Sequence, residues 1–214
     1  MRPNAPPAPA TLNQAATLLA VAIVAMVAAG IEPHDRAGWL LESIVPAALL
    51  LGLGVAWHWC RLSPVAYVAI LVLIGIHELG AHFTYAEVPY DDWVKRLTGH
   101  SLDTALGWQR NQYDRLVHFS YGLLIILPIR EALYRLTPLR GAWLAFVALT
   151  LVLATSSLYE LIEWLGGEYL GNDQARAFLA TQKDPWDAQK DMALALLGAL
   201  IAVALSAARR LRAR

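Results

Sequence analysis

The sequence predicts an all-α, polytopic membrane protein with six transmembrane helices. Hydrophobic residues make up 57% of the 214 residues and charged residues only 16%, whereas about a quarter is usual for charged residues in soluble domains. The apolar residues are grouped in blocks of roughly 20, the length that spans a bilayer as a helix. The six blocks are Leu12–Ile31, Trp39–Trp57, Val65–Tyr85, Asp114–Leu133, Ala142–Leu165 and Gln189–Ala207.

These blocks predict a single six-helix transmembrane domain over residues 12–208. A flexible, proline-rich cytoplasmic tail is expected at residues 1–11, and a basic cytoplasmic tail at residues 209–214. The first block resembles a signal peptide, but its apolar run is longer than a usual signal core and only Arg2 precedes it. We therefore expect it to remain as an uncleaved span.

The distribution of arginine predicts that both termini lie in the cytoplasm. An even number of spans places the termini on one side, and the stretch "RRLRAR" together with the short 134–141 loop concentrates arginine there. Positive charges close to span ends orient a membrane protein. Tryptophans near the predicted boundaries fit an aromatic belt: Trp39, Trp57, Trp59, Trp143, Trp164 and Trp186.

The two long connections, residues 86–113 and 166–188, are then expected on the outside. Within them, "DDWVKRL" and "QARAFLATQ" have the pattern of short amphipathic helices that lie at the interface, with disordered loops as the alternative. The net charge of zero suggests no nucleic-acid partner, and Cys60 as the single cysteine excludes an internal disulfide. The lipid bilayer is the expected partner, and no protein partner is indicated.

Ionisable residues gather near the predicted outer ends of the spans. A charged side chain at the centre of a span costs about 2.5–3.5 kcal/mol, so such residues need a partner, a metal or a water-filled cavity. Most are paired at helical spacing: Asp35 with Glu42, Glu78 with His82, Asp114 with His118, Glu160 with Glu163, and Asp187 with Asp191. The inner halves are almost free of polar residues, which predicts an outward-facing cup rather than a transport path.

The stretch "HELGAH" is not a zinc-protease motif. It has one residue too many between its histidines, so His77 and His82 lie about 140° apart on a helix and cannot both face one ion. The pair that shares a face is Glu78 with His82.

The cluster favours a metal-dependent hydrolase that acts on a lipid or lipid-linked substrate. In this interpretation the metal ligands are His118, Glu160, Asp187 and Asp191, and the general base is Glu163 or Asp114. Further pocket residues would be Asp35, Glu42, Glu78, His82 and Tyr121, and an anionic head group would meet Arg110, Arg115 and Lys183. A histidine with several carboxylates suits Zn²⁺, Mn²⁺ or Fe²⁺, and an acid-only subset suits Mg²⁺ or Ca²⁺.

Other interpretations of the same residues stay open. Asp114 and Asp187 begin spans, where a carboxylate commonly caps a helix. Glu160 and Glu163 could pair with Arg115, Arg110 or Lys190. Tyr121 could serve packing, and Gly198 is expected at a close helix contact. The corresponding alternative function is a non-catalytic binding or assembly protein with a structural ion network. A proton-coupled transporter is the third.

Several stretches resemble the YjdF-like inner-membrane proteins of bacteria. They are "IEPHDRAGWLLE", "HFTYAEVPYDDW", "RNQYDRLVHFSYG", "YELIEW" and "FLATQKDPWDAQKDMALALLGA", and together they extend from about Ile31 to Ala199. The resemblance implies a multi-pass protein of the bacterial inner membrane. The pieces "YDRLVHF" and "WDAQKDMALALLGA" are also similar, more distantly, to the VanZ-like pattern associated with glycopeptide-antibiotic tolerance. Neither resemblance assigns a catalytic residue.

Overall fold

The computed structural model describes residues 6–169 and 184–212, and the regular structure in these residues is entirely helical. The helices in chain order are α1 (Leu12–Ala29), α2 (Arg36–Glu42), α3 (Ile44–Ala56), α4 (Pro64–His82), α5 (Tyr90–Thr98), α6 (Leu102–Leu106), α7 (Tyr113–Leu136), α8 (Gly141–Tyr169) and α9 (Asp187–Arg212).

The predicted six membrane spans are confirmed by length and composition within the described residues. They are α1, the α2–α3 pair, α4, α7, α8 and α9. The observed helices extend beyond the predicted blocks in places; α7, for example, continues to Leu136 and α9 begins at Asp187. Which side of the membrane holds the termini stays a prediction.

The second span is broken at Ser43, and a proline accounts for the break. Residue 46 is proline, which has no N–H to donate to the carbonyl of Glu42 and whose ring crowds that carbonyl. The freed Glu42 carbonyl instead lies 3.1 Å from His77 Nε2 on α4. The break therefore joins α2 to α4 through a side chain.

Helix α7 lies at the centre of the bundle, where it packs against α4, α8 and α9, while α1 packs on α4. Helices α7 and α9 approach most closely at two glycines. A Cβ on Gly122 would collide with the carbonyl of Ala195, and a Cβ on Gly198 would collide with the carbonyl of Phe119. The expectation of a close helix contact at Gly198 is thereby met.

Hydrogen bonds hold part of the proline-rich segment against the end of the bundle where the chain begins and ends. The Ala10 N–H donates to the Leu62 carbonyl at 2.8 Å, and Arg135 Nη2 donates to the Pro7 carbonyl at 2.9 Å. Thr11 caps α1, with Gln14 completing a capping box. At the other terminus α9 remains helical as far as Arg212.

The connection between α4 and α7 contains two short helices. The stretch "DDWVKRL" lies within α5, and α6 follows it after a left-handed glycine, Gly99. Tyr90 links the two, because its hydroxyl donates to Asp103 Oδ1 at 2.7 Å. Their position at a membrane interface stays a prediction, and the second predicted interfacial helix, "QARAFLATQ", lies outside the described residues.

Candidate functional site

Five helices bring ionisable side chains to the end of the bundle opposite the termini, which we call the distal end. They are α2, α4, α7, α8 and α9, and the last four of these border the two long connections there. On the termini side of this region the helices pack through an apolar core whose fully buried members are Ile126, Ala148, Val152, Ala195 and Ala199. The polar residues therefore form a cluster next to an apolar layer, and we call this polar cluster the cup.

His118 on α7 occupies the middle of the cup and faces a carboxylate on each side of its ring. Its Nε2 lies 3.5 Å from Asp114 Oδ1, one turn earlier on the same helix. Its Nδ1 lies 3.6 Å from Glu160 Oε1 on α8. The imidazole thus bridges two groups of acids from separate helices.

The first group, which we call the Asp–His–Asp group, consists of Asp114, His118 and Asp191. One potential ligand atom from each lies within 4.8 Å of the other two. All three are buried, and Asp191 on α9 is only 2% exposed. Among the described residues Asp191 Oδ1 has no hydrogen-bond partner.

The second group consists of His118, Glu160 and Glu163, whose ligand atoms also lie within 4.8 Å of one another. Glu160 and Glu163 are three residues apart on α8, so their carboxyl groups share one face of that helix beside His118. Two carboxylates this close repel each other, which adds to the excess of negative charge around His118.

The negative charge of this region is compensated only in part. The ion pairs of Asp114, Asp191, Glu160 and Glu163 within residues 6–169 and 184–212 are the contacts of Asp114 and Glu160 with His118. Four carboxyls thus share a single imidazole in a buried site. Such an excess of acids demands bound protons or a cation.

A second set of charged residues lies on the loop side of the Asp–His–Asp group. In contrast to that group, each of its members forms an ion pair with another member. Arg110 Nη1 lies 2.7 Å from Asp187 Oδ1, while Arg115 Nη2 and Lys190 Nζ lie 2.5 and 2.6 Å from Asp184 Oδ2. The Lys190 ammonium, with the Trp186 N–H and Arg115, lowers the pKa of Asp184 to about 2. We call these five residues the ion-pair layer.

A third set of contacts fixes Glu42 of α2 beside the cup. The Tyr159 hydroxyl donates to Glu42 Oε2 at 2.5 Å, and the Tyr159 ring meets the His118 ring edge-on at 6.1 Å between centroids. Tyr159 immediately precedes Glu160, so the residue that holds Glu42 in place also borders the acids around His118. Helices α2 and α8 are joined by this bond.

His77 extends the same network to the loop after α4. Because a carbonyl can only accept, His77 Nε2 donates to the Glu42 carbonyl at 3.1 Å, and Nδ1 forms a hydrogen bond with the Tyr85 hydroxyl at 2.6 Å. Thr84 and Tyr85 both adopt left-handed backbone conformations, which turn the Tyr85 ring onto Gly80. His77 is therefore held through both ring nitrogens.

The remaining predicted pocket residues have local roles around the cup. The Glu78 Oε2 atom accepts from Trp39 Nε1 at 3.1 Å and from the Ser43 hydroxyl. His82 Nδ1 lies 2.8 Å from the Ala29 carbonyl. The two members of the predicted Glu78–His82 pair therefore contact different partners. The two other members also act locally: Asp35 caps α2, and the Tyr121 hydroxyl lies 2.5 Å from Thr155 Oγ1.

The structure groups the predicted site residues differently from the sequence interpretation. Asp114, predicted as a base, lies in the Asp–His–Asp group, whereas Asp187, predicted as a ligand, pairs with Arg110. Arg110 and Arg115, predicted as anion-binding, are both engaged by acids. Lys183 lies outside the described residues.

Sequence reasoning overlooked several residues that the structure places in or beside the cup. Asp184 lies three residues before the predicted Asp187, Tyr159 adjoins Glu160, and Ser156 lies one turn before Glu160 and is buried. Their proximity in sequence to predicted site residues was the available signal. His77 was set aside as a ligand, and the structure gives it a hydrogen-bonding role.

Comparison with protein families identifies the chain. The family model described as "Predicted membrane protein (DUF2238)" matches residues 14–212, which include every helix that contributes to the cup. The chain belongs to the DUF2238 family. This DUF2238 protein is also 38% identical over 197 residues to the inner membrane protein YjdF of Escherichia coli (strain K12), a match that covers 91% of this chain and 88% of the relative. No solved structure matches the chain significantly.

These matches confirm the YjdF-like resemblance predicted from the sequence. This DUF2238 protein is a multi-pass membrane protein, and its relative is named as a protein of the inner membrane. Membership of this family assigns neither a substrate nor a reaction to the chain.

Proposed function

We propose that the distal end binds a divalent metal ion and that the protein is a membrane-embedded, metal-dependent hydrolase of a lipid or lipid-linked substrate. The observation that carries this proposal is the Asp–His–Asp group. Its three buried ligand atoms converge from α7 and α9, in a site whose acids exceed its bases.

The spacing of these atoms suits a metal better than a set of hydrogen bonds. Ligand atoms around an ion with bonds of about 2.1 Å lie roughly 3–4 Å apart. The separation of 3.5 Å between His118 Nε2 and Asp114 Oδ1 falls in that range and is long for a charged hydrogen bond. An ion would also supply the partner that Asp191 Oδ1 lacks among the described residues.

The ligand types narrow the choice of ion. One imidazole and two carboxylates suit Zn²⁺, Mn²⁺ or Fe²⁺ better than Ca²⁺, which takes oxygen ligands. A bound ion of this kind lowers the pKa of a coordinated water and polarises a scissile ester. With Asp114, His118 and Asp191 as protein ligands, coordination positions remain for water and substrate.

The second group has the chemistry to support such a site. A metal-bound histidine commonly donates its other ring N–H to a carboxylate, which fixes the tautomer and the ring orientation. Glu160 is placed for this role at Nδ1 of His118. Glu163, whose carboxyl group lies beside those of Glu160 and His118, would take the proton from the attacking water and return it to the leaving group.

The position of the cup favours a lipid substrate. Its acids belong to helices that are long and apolar enough to cross a membrane, and Leu161, Ile162 and Trp164 beside Glu160 and Glu163 are exposed to the surroundings of the bundle. A scissile bond must therefore reach membrane depth, as it does in a lipid or a lipid-linked molecule.

The ion-pair layer supports an anionic head group. Arg110, Arg115 and Lys190 converge on the single carboxylate of Asp184, at 3.7, 2.5 and 2.6 Å. That carboxylate occupies the position that a phosphate would take, and arginine forks match phosphate geometry. The substrate would exchange with Asp184 when it binds above the metal.

Metal content and hydrolysis test this proposal together. The detergent-purified protein is compared with His118→Ala and with Glu168→Gln, which removes an exposed acid from the same helix as Glu160. We expect near-stoichiometric Zn, Mn or Fe by mass spectrometry in the wild type and in Glu168→Gln, and loss in His118→Ala. Hydrolysis of a phosphate-bearing lipid in mixed micelles should cease with chelator and return with the metal.

Two outcomes contradict the proposal at different levels. Equally negligible metal in all three proteins, even after incubation with each ion, would remove the metal site. Metal bound through His118 without turnover of any phosphate-bearing lipid would leave binding without catalysis. The second outcome favours the alternative function, a non-catalytic binding or assembly protein, whose structural network the ion-pair layer already resembles.

A further inference from the structure

The termini end of the bundle contains a cavity that is separate from the cup. It has a volume of about 320 Å³ and lies between the segment before α1, the start of α4, and helices α7, α8 and α9. A volume of this size is at the lower limit of small-molecule sites. Its lining includes Ser63, Leu127, Arg130, Tyr134, Leu144 and Arg209.

The charges in this cavity favour an anion. Arg130 and Arg209 are its basic lining residues, and Glu131 is its one acid within the described residues. Both oxygens of Glu131 are already engaged: Ser63 donates to them through N–H and Oγ at 2.6 and 2.7 Å, and Arg135 donates to Oε1. The carboxylate charge of Glu131 is therefore already paired with Arg135.

Much of the remaining lining is apolar. Val65 borders the cavity and is exposed on the surface of the bundle, Leu127 lies about one helical turn deeper than Arg130 on α7, and Leu144 of α8 is buried. A shallow depression of about 540 Å³ adjoins the cavity, shares Tyr134 with it and adds Arg61, Arg135 and Arg140. The site is thus cationic near the termini end of the bundle and apolar toward the middle of the bundle.

We propose that this cavity binds the phosphate group of an acidic glycerophospholipid, with the start of an acyl chain against Leu127 and Leu144. Basic pockets between transmembrane helices recognise anionic head groups. A free phosphate would use the arginines alone, whereas a phospholipid also uses the apolar wall. The site requires no metal at the distal end, so it stands or fails independently of the proposed hydrolase.

Lipid retention measured by native mass spectrometry tests the site. The wild type, Arg130→Gln/Arg209→Gln and the control Arg36→Gln/Arg96→Gln are purified with phosphatidylglycerol or phosphatidylcholine. The control removes the same charge from exposed arginines elsewhere in the chain. We expect the wild type and the control to retain phosphatidylglycerol over phosphatidylcholine, and the cavity variant to lose this preference by about tenfold.

Thermal stabilisation supplies the second readout. Phosphatidylglycerol should raise the Tm of the wild type and of Arg130→Lys/Arg209→Lys, and inorganic phosphate at matched concentration should not. Equal retention of both lipids by the wild type, or unchanged preference in the cavity variant, overturns the proposal. A full shift with inorganic phosphate overturns the lipid assignment. If the double variant does not fold, Arg209→Gln, which alters an exposed side chain, decides by the same criteria.

Discussion

The guanidinium of Arg110 lies 2.7 Å from the carboxylate of Asp187, although 77 residues separate them. Asp187 and Asp191 lie one turn apart on the same face of α9, but this ion pair gives them different environments. Asp187 is neutralised in the ion-pair layer, whereas Asp191, one turn deeper, faces Asp114 and His118. The side chains packed against α9 therefore determine that Asp187 is a structural acid and that Asp191 is a candidate metal ligand.

The first prediction contrasts these two aspartates. Asp191→Asn should abolish bound metal, because an amide is a poor replacement for an anionic ligand. Asp187→Asn should retain the metal and lose stability by roughly 1–3 kcal/mol, because Arg110 loses a charged hydrogen bond. Metal content and thermal unfolding in detergent measure both effects. Equal metal content in the two variants would contradict the assignment of Asp191.

The second prediction concerns Glu160 as a residue that positions His118. Glu160→Gln should weaken metal affinity about 10–100-fold while saturating metal still fills the site, as is found when the carboxylate behind a histidine ligand is removed. Competition with a chelator of known affinity measures the change, with Glu168→Gln as control. Complete loss of metal at saturation would instead make Glu160 a direct ligand, as the sequence suggested.

The third prediction concerns the bond between Tyr159 and Glu42. Tyr159→Phe removes the only donor that the structure describes for Glu42 Oε2 and should cost roughly 1–3 kcal/mol of stability. Tyr169→Phe on the same helix, where the side chain is 78% exposed, should have no effect. Thermal unfolding of both variants measures this difference in stability. A double-mutant cycle with Glu42→Gln should show coupling, and additive effects would refute the interaction.

The fourth prediction is a pH dependence at Asp184. Its pKa is lowered from 3.8 to about 2, first by the bond from Lys190. The stabilisation is therefore fully present above pH 3.8 and is lost as the pH falls through 2. The Tm difference between the wild type and Asp184→Asn should be constant above pH 4 and shrink toward pH 2. A difference that grows on acidification would contradict this sign.

The fifth prediction concerns the contact between α7 and α9. Gly122→Ala should destabilise the protein by roughly 1–3 kcal/mol, because the added methyl collides with the Ala195 carbonyl and separates the helices. Gly75→Ala is the matched control, since a Cβ there meets nothing within 4 Å. Thermal unfolding compares the two. Similar Tm values for both variants would show that the helices are not in close contact.

Part of the candidate site could be predicted because helical spacing is a local property. Two residues four apart share a helix face, which was enough to pair Asp114 with His118. The ligand role of Asp114 depends on Asp191, which belongs to another helix. The rotation that brings them together follows from the glycine contacts between α7 and α9, and spacing within one helix contains no information on it.

The sequence alone determined the six spans, the family and the concentration of acids and histidines at one end, since hydropathy and spacing act along the chain. Only the tertiary structure decided which acids are neutralised by arginine and which surround His118. It also decided that Pro46 exposes the Glu42 carbonyl to His77 and that the segment before α1 and the last turns of α9 border a basic cavity. These outcomes depend on distances between helices, which side-chain packing sets and no local pattern encodes.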